Sequence, residues 1–162
     1  MNCNGSRISS GGAAGTVAHV LNAENNETVE IIHGDPEQMN DLDQLAQVNG
    51  QKYSLRHFII NPEEDLTPEQ WDRAIEMHKD EFGWGDREHT IVAHRKERAN
   101  GSIVEHRHLL VEDADDHGKI LHIAHQFQRN EKLSRKMEHE FGHKLIKGKH
   151  NRAVIAALEK EG

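Results

Sequence analysis

Residues 89–112 read HTIVAHRKERANGSIVEHRHLLVE. Two β-rich runs, 88–95 and 102–112, flank a Gly-containing turn, which is the signature of an antiparallel pair. His106 and His108 are two apart in a strand, so both side chains leave the same face. Whether His94 joins them depends on hairpin register. A two-residue Asn100-Gly101 turn pairs Ala99 with Ser102 and sets His94 opposite Arg107, on the wrong face. A three-residue loop, Ala99–Gly101, with Gly101 left-handed at a bulge, pairs Arg98 with Ser102 instead. His94 then lies opposite His106 and on the face of His108. The sequence predicts the three-residue loop, and with it three imidazoles on adjacent strands. Three such ligands with open positions make a catalytic rather than a closed structural metal site. Neutral imidazole suits zinc, nickel, iron or copper, and manganese more weakly. An H-x-H alone arises easily by chance in a chain with 14 histidines; the register of His94 is what gives it weight.

Outward from the hairpin, helix and strand signals alternate. Residues 1–12 are Gly/Ser/Asn-rich and are expected to be a flexible tail. Residues 13–22 read as a short helix with Val17, Val20 and Leu21 on one side. Asn25-Asn26 is a turn signal, and 27–33 (ETVEIIH) alternates as a strand. Asp35 and Pro36 open a helix with apolar Met39, Leu42, Leu45 and Ala46. Residues 54–60 form a strand that ends at Asn61-Pro62. Thr67, Pro68 and Gln70 make a capping box for a helix over 68–82, which buries Trp71, Ala74, Ile75 and Met77 and ends at Gly83. After Gly118 the pattern is helical over 122–127, 130–146 and 151–160. This order predicts an α+β fold: a central antiparallel sheet with helices mainly on one face and the histidines on adjacent central strands. Residues 13–162 read as a single domain, one that can stand as the N-terminal part of a longer protein.

The chain has 162 residues and one cysteine, Cys3. A lone cysteine excludes an internal disulfide framework and fits the cytosol. No apolar run approaches the roughly 20 residues that cross a bilayer. Net charge is -8, which argues mildly against a nucleic-acid partner. The charge is uneven, however. Residues 117–162 hold ten Lys/Arg against five Asp/Glu, whereas residues 1–116 hold ten against 23. A basic final third on an acidic body suits a polyanion binder, although a solvated helical face gives the same pattern.

A second histidine motif competes. His139, Glu140 and His143 form H-E-x-x-H within a predicted helix, the zincin arrangement in which two histidines hold zinc and the glutamate is the base. A third ligand would have to come from the short stretch beyond, with Glu159 or Glu161 as candidates. The flanks, KMEHEFGHKLIKGKH, are charged, whereas a zincin helix is usually buried. An exposed helix rich in His and Glu is the plainer reading.

The stretch from about Ala13 to Lys147 resembles the relaxases of conjugative and mobilisable elements, the HUH-type single-strand endonucleases. The residues that carry the resemblance are LRHFIIN with His57, the helix opened by TPEQW, GWGDREHTIVAH, and EHRHLLVEDADDHGKIL. The spacing of His94, His106 and His108 is similar to the family's metal triad, and KLSRKMEHEFGHKL falls where the family has a helix. The resemblance implies site- and strand-specific DNA nicking and rejoining at a transfer origin, with a covalent protein–DNA adduct. It implies a divalent metal, Mn or Mg in use, with Zn or Ni also compatible with three histidines. It also implies single-stranded or supercoiled DNA, accessory relaxosome proteins and a type IV secretion coupling protein as partners, in a bacterial cytoplasm.

Most members carry a tyrosine in the first helix or loop. Here the equivalent segment, GTVAHVLN, holds His19, the first candidate nucleophile; a neutral imidazole is competent if its other nitrogen is oriented. Tyr53, the sole tyrosine, is the runner-up. Glu112 stands where many members show Asn. For DNA, Arg95, Lys96, Arg98 and Arg107 cluster in sequence beside the triad, and Arg129, Lys132, Arg135 and Lys136 offer a second basic set. Two other readings stand beside the nuclease: an H-E-x-x-H zinc metalloprotease, and a non-catalytic DNA- or metal-binding module of relaxase origin.

Overall fold

A computed structural model describes residues 1–24 and 27–162. The expected turn at Asn25-Asn26 lies outside the described residues. Ten elements follow in chain order: β1 (Asn2–Ser9), α1 (Ala13–Leu21), β2 (Thr28–His33), α2 (Pro36–Val48), β3 (Tyr53–Asn61), α3 (Pro68–Phe82), β4 (His89–Glu97), β5 (Ile103–Glu112), α4 (Gln126–Phe141) and α5 (Asn151–Glu161). The strands form one sheet in the order β1-β3-β5-β4-β2, and every pairing is antiparallel. The expected α+β architecture is present, with β5 at the centre.

Alternation along the strands builds two cores. Phe58, Ile60, Ile91, Leu109 and Val111 face Trp71, Ala74, Ile75 and Phe82 of α3 and Leu133 and Met137 of α4. The opposite face holds Ile8, Leu55 and Leu110 against Ala13 and Val17 of α1 and Met39 of α2. The larger helices, α3 and α4, therefore cover one face, and the shorter α1 and α2 cover part of the other. A strand buried on both sides reads as a continuous apolar run, which is why Leu109-Leu110-Val111 does not alternate.

Local chemistry sets the helix ends. Asp35 accepts from the Glu37 amide at the start of α2. Thr67 and Gln70 complete the capping box of α3, and Gly83 closes that helix in the left-handed region. On α3 it is His78, not Met77, that fills the core position. His78 is fully buried, and its Nδ1 accepts from the Trp84 indole at 2.8 Å. Burial drives its pKa down to about 3, so it packs as a neutral ring.

Two expectations need correction. Residues 2–9 are not a flexible tail but the edge strand β1, paired with β3. Its polar sequence hides the strand, because only Met1, Cys3 and Ile8 bury apolar side chains. Residues 122–125 are not helical; one helix, α4, runs from Gln126 to Phe141 in place of the expected 122–127 and 130–146 pair. Leu121 and Ile123 alternate into the core as extended chain, and an apolar alternation that short does not distinguish strand from helix. No helix is long and apolar enough to cross a membrane among the described residues.

Gly5 marks where β1 meets the core. A Cβ there would stand 2.6 Å from Cδ1 of Phe58, whose ring is 1% exposed and cannot swing away. Gly5→Ala is expected to lower stability by about 1–3 kcal/mol through overpacking, read as a shift in urea midpoint. An unchanged midpoint would show that β1 is not docked as described.

Candidate metal centre

The hairpin register is the one the sequence predicts. The Arg98 amide donates to the Ser102 carbonyl at 2.7 Å, and the Gly101 amide donates to the Arg98 carbonyl at 2.9 Å. Gly101 adopts φ +82°, a conformation that favours glycine. His94 consequently pairs with His106. Ring centroids are 5.0 Å apart for His94–His106, 4.5 Å for His94–His108 and 5.0 Å for His106–His108. One ligating nitrogen from each lies within 4.8 Å of the others, and this is the one such cluster of His, Cys, Asp or Glu among the described residues.

The residues fit a cation. Nε2 of His108 is buried without a hydrogen-bond partner, the signature of a group made for something else. Burial, reinforced by the neighbouring histidines, lowers the His108 pKa to about 3. Burial also lowers that of His106, with His94 adding to it. Both are neutral near pH 7, the form that coordinates metal.

Two further residues complete the cluster and were not singled out as site residues in the sequence. His57 on β3 sits with Nε2 2.8 Å from His108 Nδ1, which leaves Nε2 of His108 free for a ligand role. Burial pushes His57 down to about 4, and the charge of His19 adds to this. Glu27 places Oε2 3.2 Å from His94 Nδ1, a carboxylate–imidazole pair of the kind that orients metal ligands. Glu27 is 67 positions from His94, and no local spacing connects them. His57 lies in LRHFIIN, where a lone histidine on a strand carried no separate signal.

Helix α1 abuts this cluster. His94 Nε2 donates to the Val20 carbonyl at 2.5 Å, one of the unpaired carbonyls at the end of α1. The neighbouring His19 is exposed yet lies close enough to add to the depression of the His57 and His108 pKa values. The turn before α1 is held by buried Asp43, which accepts from the Gly11 amide at 3.0 Å and from the Ser54 hydroxyl.

Other candidate residues fall elsewhere. Tyr53 begins β3, six residues before Ile59, the partner of His108; at about 3.3 Å per residue that is roughly 20 Å away. Arg95 and Arg107 alternate to the opposite face of the hairpin. Arg95 pairs with Glu30 and Glu105, and Arg107 with Glu105 while lying over Trp71. On α4, Arg129 and Lys132 pair with Glu81, Arg135 with Glu138, and Lys132 and Lys136 with Glu161. Lys96 and Arg98 are exposed near the hairpin tip, and Lys96 shares the face of His94. The segment that supplies α1, β2 and α2 is acidic: residues 8–51 contain no Lys or Arg and seven Asp or Glu.

The helical H-E-x-x-H geometry does not form, which counts against the metalloprotease reading. Helix α4 stops at Phe141, and Gly142 caps it at φ +71°. His143 is therefore off the helix, and the i, i+4 placement the motif needs does not form. Glu140 is engaged by Arg73 at 2.5 Å.

A family model described as the nuclease domain of MobA/VirD2-like relaxases matches residues 14–143. The match runs from the start of α1 to just past α4, so it holds His19 and the triad together. Neither curated proteins nor solved structures yield a match to the chain. With 130 of 162 residues matched, the chain belongs to the MobA/VirD2-like relaxase nuclease family.

Proposed function

We propose that this chain cuts and rejoins one DNA strand at a transfer origin through a histidine adduct, with His19 as the nucleophile. The observation that carries this reading is the position of His19: an exposed side chain on the turn of α1 whose next carbonyl touches His94. His94, His106 and His108 would hold the metal, with Nε2 of His108 as one donor and Nε2 of His94, deprotonated and released from the Val20 carbonyl, as another. Glu27 would keep Nδ1 of His94 occupied, and His57 would accept from Nδ1 of His108. A divalent cation such as Mn²⁺ or Mg²⁺ held there would supply charge neutralisation at the scissile phosphate.

The ring nitrogen of His19 attacks phosphorus, and the P–O3′ bond breaks. The departing 3′-oxygen takes a proton from solvent, and the other ring nitrogen of His19 releases one. The strand's 5′ phosphate remains on the protein as a P–N bond, and attack by a 3′-hydroxyl reverses the step. Because the bond is exchanged rather than hydrolysed, no external energy source is needed. Lys96 and Arg98, exposed on β4 and its hairpin loop, are the first residues assigned to phosphate contact. We place the reaction in the bacterial cytoplasm, in keeping with a buried free Cys3, with relaxosome proteins and a secretion coupling protein as partners.

Calorimetric titration with Mn²⁺ tests the metal assignment. His106→Ala is expected to abolish binding, and Glu27→Gln to weaken it about 10–100-fold. Wild-type affinity in both variants would remove the site.

Labelled single-stranded DNA from the cognate origin tests the nucleophile. A covalent band on a denaturing protein gel should appear with metal and vanish in His19→Ala and His106→Ala. A band that survives His19→Ala would move the nucleophile elsewhere. DNA binding without any band in the wild type would favour the non-catalytic module.

A further inference from the structure

On the face of the sheet turned away from the triad, β1 and β3 border a cavity of about 620 Å³, closed on its other side by the segment 118–124. Arg7 and Arg56 are direct register partners, so two cations stand side by side on this face, where like charges repel. Lys52 makes a third. All three converge on one ring: Arg7 lies 4.9 Å, Lys52 5.3 Å and Arg56 5.9 Å from the centroid of Tyr53. Asp113 answers Arg56 at 2.5 Å. Arg7 and Lys52 have no carboxylate partner among the described residues. Arg56 is 2% exposed, and its Nη1 is buried with no hydrogen-bond partner. An unsatisfied buried guanidinium nitrogen is costly, and Arg56 is among the residues that line the cavity.

Three cations and one carboxylate leave two positive charges in a chain whose net charge is -8. The matching ligand is a dianion with several acceptor oxygens. A phosphate monoester carries close to two charges near pH 7 and has three such oxygens, and guanidinium forks bind them well. We infer that this cavity is a binding site for a phosphomonoester group, held by Arg7, Lys52 and Arg56 with Tyr53 at its side. The group can come from a free nucleotide or from the 5′-phosphorylated end of a strand. The site is independent of the metal centre and of His19, which lie on the other face.

The test uses the full chain with ¹³C-labelled tyrosine, because Tyr53 is the sole tyrosine and gives one aromatic spin system at the cavity. Four probes are titrated: inorganic phosphate, thymidine 5′-monophosphate, a thymidine hexamer with a 5′-phosphate, and the same hexamer without it. Movement of the Tyr53 resonances by phosphate and the mononucleotide supports the site with a free source. Movement by the phosphorylated hexamer alone supports it with a strand end as the source. Arg7→Gln and Lys52→Gln change exposed side chains and are expected to weaken binding roughly tenfold each, as the loss of a charged hydrogen bond implies. His106→Ala should leave the titration unchanged, which separates failure here from failure of the metal centre. No movement with any probe, equal movement by the unphosphorylated hexamer, or wild-type affinity in both cavity variants would overturn the inference.

Discussion

Burial of β5 on both faces is the constraint on which the molecule depends. Leu109 and Val111 belong to the core beneath α3 and α4, while Leu110 belongs to the core beneath α1 and α2. The same alternation, continued two and four residues back from Leu110, carries His108 and His106 to the face of α1. Packing and chemistry are thus set by one phase. The cost of exposing three large apolar side chains, about 1.5–3 kcal/mol each, holds the imidazoles in place.

The imidazoles are surrounded by groups that keep them neutral and oriented rather than by an obvious nucleic-acid groove. The cations that the sequence offers for DNA are mostly spent within the protein. Those of α4 tie it to Glu81 and Glu161 or pair within the helix with Glu138, and Arg95 and Arg107 brace the far side of the hairpin through Glu105. Most of these pairs are buried or half-buried, and they leave little free positive charge on α4 itself. Within the basic final third, the four cations of α4 were therefore a guide to internal pairing, whereas Lys119, Lys144, Lys147, Lys149, Arg152 and Lys160 make no ion pair among the described residues.

Much of this was legible in the sequence, and the reasons are local. Capping boxes, Pro at the first helical position and the Gly101 bulge act within a few residues, so Thr67, Pro36 and the three-residue loop could be read directly. What was not legible depends on contacts across the fold. β1 is polar because it lies at an edge and contributes few buried side chains. His57 and Glu27 approach the triad only once β3 is paired with β5 and the chain before β2 comes to rest beside His94. The H-E-x-x-H stretch misled for the opposite reason: its spacing is local, but the helix stops at Phe141, and Gly142 turns the chain before the second histidine.

The loop at Ala99–Gly101 has a consequence for how such a chain can change. Its side chains are exposed, so residue identity there is loosely held apart from the left-handed position. Its length is held tightly. Removing or adding one residue slides β4 against β5 by a half-period and sends His94 to the Glu105 side, while the apolar residues of one strand lose their partners. Changes of two restore the phase but not the pairing of His94 with His106. Drift in this hairpin is therefore confined to substitution, and a length change at its tip would remove the three-histidine cluster without altering a single histidine.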